Sequence, residues 1–496
     1  MVKPYKILIF TLAVLAILAT ISFFFPKNGI KINDYLSLNF PNINDIKLIN
    51  EKDSLVDISK IINVETDEND EIKDTNTVSV NNLDDSVRVL HQKDSIKNEE
   101  NNTVDLEFGE GAKILLYNFF DYISRSKKTS HIIHYGDSQI EGDRITAYFR
   151  NKLHKTYGGT GFGLTSAKRL DISFTINQKN SGDWKRYTIF GRIDTTVKHR
   201  NYGAMGIISR YAPPDAYKQD KIYEASIDFT QTRASYFADR YFSKIRMFYG
   251  NLKKPVLSEL YVNGKLKSFK KLNTGKAVKT VTWNVKPNSK NVKIKFSGSD
   301  SPDIYGISFE GRGLTVDNIA MRGASGTDFT KINYNNFKQM FDKMNVRMVI
   351  LEFGGNIVPY VKSEKGLRNY ARAFRRQLKR FKSLNPLMPI IVIGPADMST
   401  RIKGKFTSYP YLEEVINTMK EVTLSEGYIF WNMYKAMGGK NSMVAWVRAK
   451  PPLAAKDYIH FLPNGAKIMA EKFYEAIIKV QNEYNYMKEN NIEFNL

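Results

Sequence analysis

The feature that most constrains the fold is a strand that ends in a tight turn and leads directly into a helix. A short apolar run ends in Gly136-Asp137-Ser138, and residues 143–156 then repeat apolar side chains at helical spacing. The same succession of apolar run, glycine turn and helix returns after residue 313. Strands that alternate with helices predict a parallel sheet covered by helices on both faces.

Each of four predicted strand ends or following loops carries one reactive or polar group. These groups are the hydroxyl of Ser138, the backbone N–H of Gly323, the amide of Asn356 and the carboxylate–imidazole pair Asp457 and His460. Loops after parallel strands open into the crevice where α/β sheets bind ligands. A nucleophile, a base, an orienting carboxylate and oxyanion donors are the parts of acyl transfer. The alternative is that the Asp-Ser pair simply caps the helix that follows.

Residues 166–312 follow a different pattern. Short segments of alternating polarity are separated by turn residues such as Asn263-Gly264, and helical periodicity is nearly absent. This pattern predicts an antiparallel β-sandwich inserted between two parts of the α/β domain, residues 108–165 and 313–496. Its aromatic and arginine side chains either stack on sugars or form ordinary core and rim.

The amino-terminal region predicts a membrane tether. Residues 7–25 hold no charge and are about long enough to cross a bilayer. We therefore expect residues 1–27 to be an uncleaved transmembrane signal anchor, with the body outside the cytoplasm. Residues 41–110 hold 18 acidic and 7 basic residues and few apolar ones, so residues 28–107 are predicted to be a disordered acidic spacer.

Composition narrows the chemistry. The formal net charge is +23, and residues 111–496 alone have a net charge of +31, because residues 41–110 are acidic. So basic a body fits a polyanionic environment or scattered surface lysine. Absence of cysteine excludes thiol catalysis and disulfides. Six histidines make a multi-histidine metal site hard to assemble, so no metal or cofactor is expected. No recognised nucleic-acid module is present, so no nucleic-acid partner is expected.

Taken in order, four short blocks resemble those of the SGNH (GDSL) hydrolase family. Gly136-Asp137-Ser138 is similar to the first block and Gly323 to the second. The third and fourth are Gly354-Gly355-Asn356 and Asp457-x-x-His460. The resemblance covers about 111–165 and 313–496. It implies a flavodoxin-like parallel sheet and a serine ester hydrolase.

The resemblance also implies a role for each residue. Ser138 would attack an ester carbonyl, His460 would take its proton and later protonate the leaving alcohol, and Asp457 would fix the imidazole. The backbone N–H groups of Ser138 and Gly323, with the amide of Asn356, would hold the oxyanion.

Several residues depart from the family's pattern or compete for these roles. Gln139 stands where many members have leucine, and Ile357 stands where many have aspartate. The glycine cluster at 158–163 is an alternative second block, although a strand precedes Gly323 directly. His131 and His134 compete as the base; one is expected to be buried and the other to line the cleft.

The position of the predicted sandwich, between the first and second blocks, resembles a narrower group. Peptidoglycan O-acetylesterases of Gram-negative bacteria carry a carbohydrate-binding-like module there. That resemblance implies removal of O-acetyl groups from an envelope glycan by a body held in the periplasm and anchored in the inner membrane. Two alternatives remain open: an O-acetyltransferase that uses the same serine, and a non-enzymatic glycan-binding surface protein.

Overall fold

The computed structural model describes residues 4–25, 30–33, 36–38, 56–62 and 104–492 of the 496-residue chain. The strands are, in chain order, β1 (Ile30–Asn33), β2 (Leu36–Leu38), β3 (Glu107–Phe108), β4 (Ser130–Gly136), β5 (Gly163–Thr165), β6 (Ile176–Ser181), β7 (Lys185–Thr188), β8 (Ile207–Arg210), β9 (Tyr223–Gln231), β10 (Lys244–Gly250), β11 (Val256–Val262), β12 (Lys265–Leu272), β13 (Lys279–Asn284), β14 (Asn291–Gly298), β15 (Asp303–Glu310), β16 (Leu314–Ala320), β17 (Val346–Glu352), β18 (Ile390–Ile393), β19 (Ser399–Ile402), β20 (Lys405–Ser408) and β21 (Ile429–Trp431). The α-helices are α1 (Pro4–Phe24), α2 (Ser59–Ile62), α3 (Ala112–Arg125), α4 (Thr146–Tyr157), α5 (Tyr334–Met344), α6 (Glu364–Leu384), α7 (Leu412–Ser425), α8 (Met433–Ala436), α9 (Ser442–Arg448) and α10 (Pro463–Glu489).

A six-stranded sheet forms the centre of the α/β part. Its order is β16-β4-β17-β18-β21-β3, and all neighbours are parallel except β21 and β3. The register pairs Gly136 with both Ala320 and Glu352, and pairs Ile393 with both Glu352 and Trp431. Five strands therefore end in one row, and the loops that follow them emerge along the same edge.

Helices cover both faces of this sheet, as the sequence predicted. Side chains of α5, α6 and α7 share one hydrophobic core with Ile133 of β4 and Leu351 of β17. Those of α3, α4 and α10 share a second core with Ile132 and Ile350, from the opposite faces of the same strands. All seven residues of β4 are buried because this strand lies inside the sheet and under both layers.

Two antiparallel sheets lie between residues 163 and 310. One has the order β13-β10-β15-β8-β7, with β5 also paired to β15, and the other has the order β12-β11-β14-β9-β6. Their facing side chains form a third hydrophobic core. Phe229 of β9 and Phe309 of β15 meet across it, with ring centroids 4.9 Å apart.

The first of these sheets also packs on the α/β part. Along β10, Met247 and Tyr249 enter the core between the two sheets, whereas Phe248 enters the core under α5. Arg150 of α4 adds a buried ionic link, because it pairs with Asp143 at 2.6 Å and with Asp239 at 2.8 Å. The antiparallel unit is therefore fixed against the helix that follows Ser138.

The amino-terminal elements differ in part from the predictions. Within the described residues, none of the helices proved long and apolar enough to cross a membrane, so the anchor predicted for 1–27 is not confirmed. Most of the predicted spacer, 28–107, lies outside the described residues. Its described parts include regular structure: β1 pairs with β2, and α2 is helical.

One described part of the predicted spacer packs on the body. Ile58 and Ile61 are buried in the core that contains α3 and α10. Ile61 lies so close to Gly438 that a Cβ built there would be 3.1 Å from its Cδ1. The prediction of a fully disordered spacer is therefore wrong for residues 56–62. Burial of their closely spaced isoleucines stabilises this stretch on the body, and the acidic composition of the surrounding sequence hid this from the prediction.

Candidate active site

The turn after β4 presents Ser138 at the carboxyl edge of the sheet. A short 3₁₀ helix, Ser138–Asp143, begins immediately after the strand. The carboxylate of Asp137 accepts the backbone N–H of Gln139 at 2.9 Å and so caps this helix. Asp137 alone therefore caps this helix, and the hydroxyl of Ser138 has a different partner.

That partner is His460, from the loop before α10. The Ser138 hydroxyl oxygen lies 2.8 Å from His460 Nε2, and His460 Nδ1 lies 2.7 Å from Asp457 Oδ2. With the hydroxyl donating to Nε2 and Nδ1–H donating to the carboxylate, the three side chains form one hydrogen-bonded chain. This is the geometry in which an imidazole withdraws a proton from a serine while a carboxylate orients the ring.

The Asp457 carboxylate is fixed by its own loop. Its Oδ1 accepts the backbone N–H groups of Ile459 at 3.0 Å and His460 at 3.1 Å. Burial raises the pKa of Asp457, but hydrogen bonds from the His460 ring and from these N–H groups outweigh it and hold that pKa below the usual value of 3.8. Asp457 is therefore ionised at neutral pH and can stabilise an imidazolium.

Asn356 lies beside the nucleophile, but its amide is engaged. It follows β17, and its Nδ2 donates to Asp137 Oδ2 at 2.9 Å and to the carbonyl of Ala324 at 3.1 Å. Both amide protons have partners, so an oxyanion must share or displace one of them. The role of oxyanion donor stays a prediction for this residue.

Gly323 lies in the turn after β16, next to Ala324, whose carbonyl receives the Asn356 amide. Its φ of +77° is in the left-handed region that favours glycine, and a Cβ there would meet nothing within 4 Å. The turn therefore requires glycine for its backbone conformation rather than for space. Gly323 is not among the residues that line the pocket described next, and its predicted role is likewise untested.

A pocket of about 200 Å³ opens beside the hydroxyl of Ser138. Ser138, His460 and Asn356 line it, while Asp457 stands behind the imidazole. Other lining residues include Phe353, Pro359, Pro395, Ala396, Met398, Tyr409, Met433 and Ile459. This volume is below the range typical of pockets for drug-sized ligands, so the space suits a short acyl group.

His131 and His134 are both buried in β4, contrary to the expectation that one would line the cleft. His134 contacts Glu352 Oε2 at 3.1 Å and Thr146 Oγ1 at 3.0 Å. His131 contacts Asp317 at 2.7 Å, and despite burial that carboxylate, with Glu310, raises the pKa of His131 to about 9. Neither lines the pocket, because both faces of β4 are covered.

The glycine cluster at 158–163 serves backbone packing rather than the oxyanion. Gly159 bridges to Gly313, just before β16 begins. A Cβ on Gly159 would lie 2.1 Å from the carbonyl of Leu314, and one on Gly163 would lie 2.2 Å from Asp317. Since Leu314 is at the amino end of β16, the cluster is at the opposite edge of the sheet from Ser138.

Several polar residues of the pocket were missed as site residues in the sequence, among them Gln139, Glu352 and Asp397. Gln139 donates through Nε2 to the carbonyl of Ile459 at 3.0 Å and accepts the backbone N–H of Phe461 at 3.1 Å. Glu352 is buried at the end of β17, and Asp397 is buried in the loop that follows β18. The sequence showed that both residues follow apolar runs at the ends of predicted strands. It did not show which groups their carboxylates would contact.

Replacing Gln139 by leucine should loosen the loop that carries His460. The change removes two hydrogen bonds, each worth about 0.5–1.5 kcal/mol, and leaves a carbonyl and an N–H without partners. We expect a free energy of unfolding lower by about 1–3 kcal/mol and a smaller kcat on a small acetyl ester. Thermal unfolding and initial rates would measure both, with the exposed Gln219→Leu as control. Unchanged kcat and stability would contradict this account of Gln139.

Replacing Asp137 by asparagine should change how stability depends on pH. Burial raises the pKa of Asp137 from 3.8 to about 7. The folded protein therefore binds a proton that the unfolded chain has lost, and wild-type stability declines as pH rises through that window. The deficit of Asp137→Asn relative to wild type should shrink from pH 5 to pH 8. Melting temperatures would show this, with Asp220→Asn as control; a deficit independent of pH would contradict it.

No group of three or more histidine, aspartate or glutamate side chains suited to a metal was found within the described ranges. No family model matches the chain. No curated protein matches it either.

The fold of the chain is similar to that of a solved esterase structure. A solved structure of a peptidoglycan O-acetylesterase matches over 76% of this chain and 99% of its own, with a TM-score of 0.58 and 20% identity. An acetyl xylan esterase covers 33% of this chain and 81% of its own at a TM-score of 0.25 and 13% identity. A family two carbohydrate esterase from Clostridium thermocellum covers 61% of this chain and 99% of its own at a TM-score of 0.24 and 11% identity. The first likeness confirms the mixed α/β fold with a parallel sheet that the sequence resemblance implied, whereas the inserted β-sandwich stays a prediction.

Proposed function

We propose that the protein is a serine ester hydrolase that removes O-acetyl groups from a cell-envelope glycan such as peptidoglycan. The observation that carries the proposal is the hydrogen-bonded chain of Ser138, His460 and Asp457 beside a pocket of about 200 Å³. A non-enzymatic binding protein would have no need of this chain. The likeness in fold to a peptidoglycan O-acetylesterase supports the choice of glycan.

The reaction follows from the contacts. Ser138 Oγ attacks the acetyl carbonyl while its proton moves to His460 Nε2, and Asp457 stabilises the imidazolium. The bond between the carbonyl carbon and the sugar oxygen breaks, and His460 gives its proton to that oxygen. A water then attacks the acetyl-serine, loses a proton to His460, and acetate leaves as the serine regains its proton.

The openness of the site favours water over a second sugar as acceptor. The side chains of His460 and Asp457 are 27% and 46% exposed, so water can reach an acetyl-serine without a conformational change. A transferase has to keep water from its intermediate. An acetyltransferase that uses the same serine is therefore less well supported than a hydrolase.

Acetate release from O-acetylated peptidoglycan by the full chain tests the proposal. We expect release that is absent with chemically de-O-acetylated polymer and absent with Ser138→Ala. Hydrolysis of a small acetyl ester without release from any glycan would reject the glycan substrate. Transfer of acetyl to an added sugar, in preference to water, would support the acetyltransferase instead.

We also propose that the antiparallel unit, residues 166–312, acts as a carbohydrate-binding-like module at the mouth of the site. Its loop lies against the turn after Ser138: the Phe174 N–H donates to the carbonyl of Gly142 at 2.9 Å, and the Gly142 N–H donates to Asp171 at 3.2 Å. Beside these contacts Leu170 and Ile172 are 75% and 89% exposed. Remote contacts of this kind supply binding energy only for a substrate long enough to reach them.

Leu170→Ser with Ile172→Ser should therefore weaken hydrolysis of the acetylated polymer and leave a small acetyl ester unaffected. Equal loss on both substrates, or loss on neither, would remove this role for the insert.

For location, we propose the cell envelope, with the body in the periplasm and α1 in contact with the inner membrane. The support is that α1 exposes large apolar side chains along its length, among them Leu8, Phe10, Leu15 and Ile17. Exposed apolar surface of this extent favours a lipid or protein partner. Recovery of the full chain with membranes after a carbonate wash would support the contact; recovery in the soluble fraction would reject it.

A further inference from the structure

A basic β-hairpin stands at the rim of the pocket. Residues 398–412 contain Arg401, Lys403 and Lys405 and no acidic residue. β19 and β20 pair antiparallel, with Ile402 opposite Lys405. The two turn residues, Lys403 and Gly404, have φ of +51° and +84°, the signs typical of a tight two-residue hairpin turn.

This hairpin is anchored at its base, although an isolated pair of short strands is marginally stable in water. The Ser408 hydroxyl donates to Asp397 Oδ1 at 2.5 Å, and the Ser408 N–H donates to Asn441 Oδ1 at 2.9 Å. The Ser399 N–H donates to the carbonyl of Tyr458 at 2.9 Å. The arm is thus fixed to the structure around it.

The hairpin also contacts the loop that carries the candidate base. The ring of Phe406 stacks on that of Tyr458, with centroids 3.8 Å apart and planes inclined by 16°. Tyr458 is the residue after Asp457 and lies two before His460. At the two feet of the hairpin, Met398 and Tyr409 both line the pocket. The arm therefore rises directly from the rim of the pocket.

The charged side chains lie on the exposed part of this arm. Residues 401–405 are all exposed. The guanidinium of Arg401 lies 5.2 Å from the Phe406 ring centroid, which holds it along the arm. The hairpin follows β18, whereas the loop with Leu170 and Ile172 contacts the turn after β4, and β17 lies between these strands. A polymer lying across the pocket from one to the other would meet the cations.

We propose that the hairpin, residues 399–408, is a substrate-binding arm whose cations pair with carboxylates of the glycan polymer near the acetylated sugar. This deepens the proposed function and rests on it. Exposed ion pairs are individually weak and are screened by salt. Loss of three such ion pairs should lower kcat/KM for an acidic polymer by about 3- to 30-fold and leave kcat/KM for a neutral small ester unchanged.

The test replaces the three cations together, as Arg401→Gln, Lys403→Gln and Lys405→Gln in the full chain. The control, called the amino-edge variant, removes the same charge just before β4, at the sheet edge opposite Ser138, as Arg125→Gln, Lys127→Gln and Lys128→Gln, all at exposed positions. Substrates are a small acetyl ester, O-acetylated peptidoglycan and the same polymer with its carboxylates amidated.

In the arm variant, kcat/KM should fall by about 3- to 30-fold on the acidic polymer and stay unchanged on the other two substrates. The rate on the acidic polymer should also lose most of its dependence on salt concentration. Equal rates for the two variants on that polymer would overturn the proposal, and so would an equal loss by the arm variant on all three substrates.

Co-sedimentation with de-O-acetylated peptidoglycan separates this proposal from the proposed function, because binding then requires no ester. Weaker sedimentation of the arm variant than of the amino-edge variant supports the arm, even if the wild type releases no acetate from glycan. Equal sedimentation of the two variants overturns it, whatever the esterase activity.

Discussion

Replacement of Ser138 by alanine is expected to abolish hydrolysis of a small acetyl ester and to leave the fold intact. The change removes the atom that lies 2.8 Å from His460 Nε2, and no other serine or threonine is among the described residues that line the pocket. Loss of the nucleophile from a triad typically costs about 10⁶-fold in kcat. Ser138 is only partly buried, so stability should change by less than about 0.5 kcal/mol.

Initial rates with a chromogenic acetyl ester, together with thermal unfolding, would measure both effects. Ser268→Ala, a partly buried serine of β12, is the matched control and should keep full activity. Retained turnover in a folded Ser138→Ala variant would remove the proposed mechanism altogether.

Replacement of Asn356 by alanine is expected to lower kcat by about 10²–10³ with little change in KM. The reason is that an oxyanion exists only in the transition state, so a donor to it affects the chemical step and not ground-state binding. The present contacts of its amide, to Asp137 at 2.9 Å and to Ala324 at 3.1 Å, offer a competing explanation in which Asn356 only holds the turn.

The two explanations separate in kinetics and in stability. Asn356→Asp keeps the shape of the side chain and removes its donors, so it should match the kcat loss of Asn356→Ala if the oxyanion is the partner. A raised KM or a lowered melting temperature with kcat unchanged would show that Asn356 only supports the loop.

Local pattern accounts for the parts of the fold that the sequence predicted. An apolar run followed by glycine and a helix predicts a parallel strand, and about twenty residues of sequence are enough to contain this pattern. The observed register of β4, β16 and β17 places the ends of these strands side by side. Ser138 was singled out because it stands in a strand-end turn, and Asp457 and His460 because they lie close together in the loop before the last helix; the structure brings the three together, and their catalytic roles stay predictions. The observed β7, β10, β11, β13, β14 and β15 likewise coincide with the alternating segments of the sequence.

Contacts between distant segments account for what could not be predicted. Gln139 was noticed as a departure from leucine, but its bonds to Ile459 and Phe461 span about 320 residues. Alternation along β4 indicated that its two histidines lie on opposite faces, and only the elements packed on both faces of that strand show that both are buried. The apolar stretch at 56–62 was too short to be recognised as an ordered segment within an acidic region.

The most direct test of the central claim is covalent labelling of the nucleophile. The full chain would be treated with a serine-directed phosphonate ester and its peptides mapped by mass spectrometry. The account predicts one stoichiometric adduct, on Ser138, formed quickly by the wild type and far more slowly by His460→Ala, because that variant lacks the base that activates the hydroxyl. Absence of an adduct, an adduct on another residue, or equal labelling of the two proteins would contradict it.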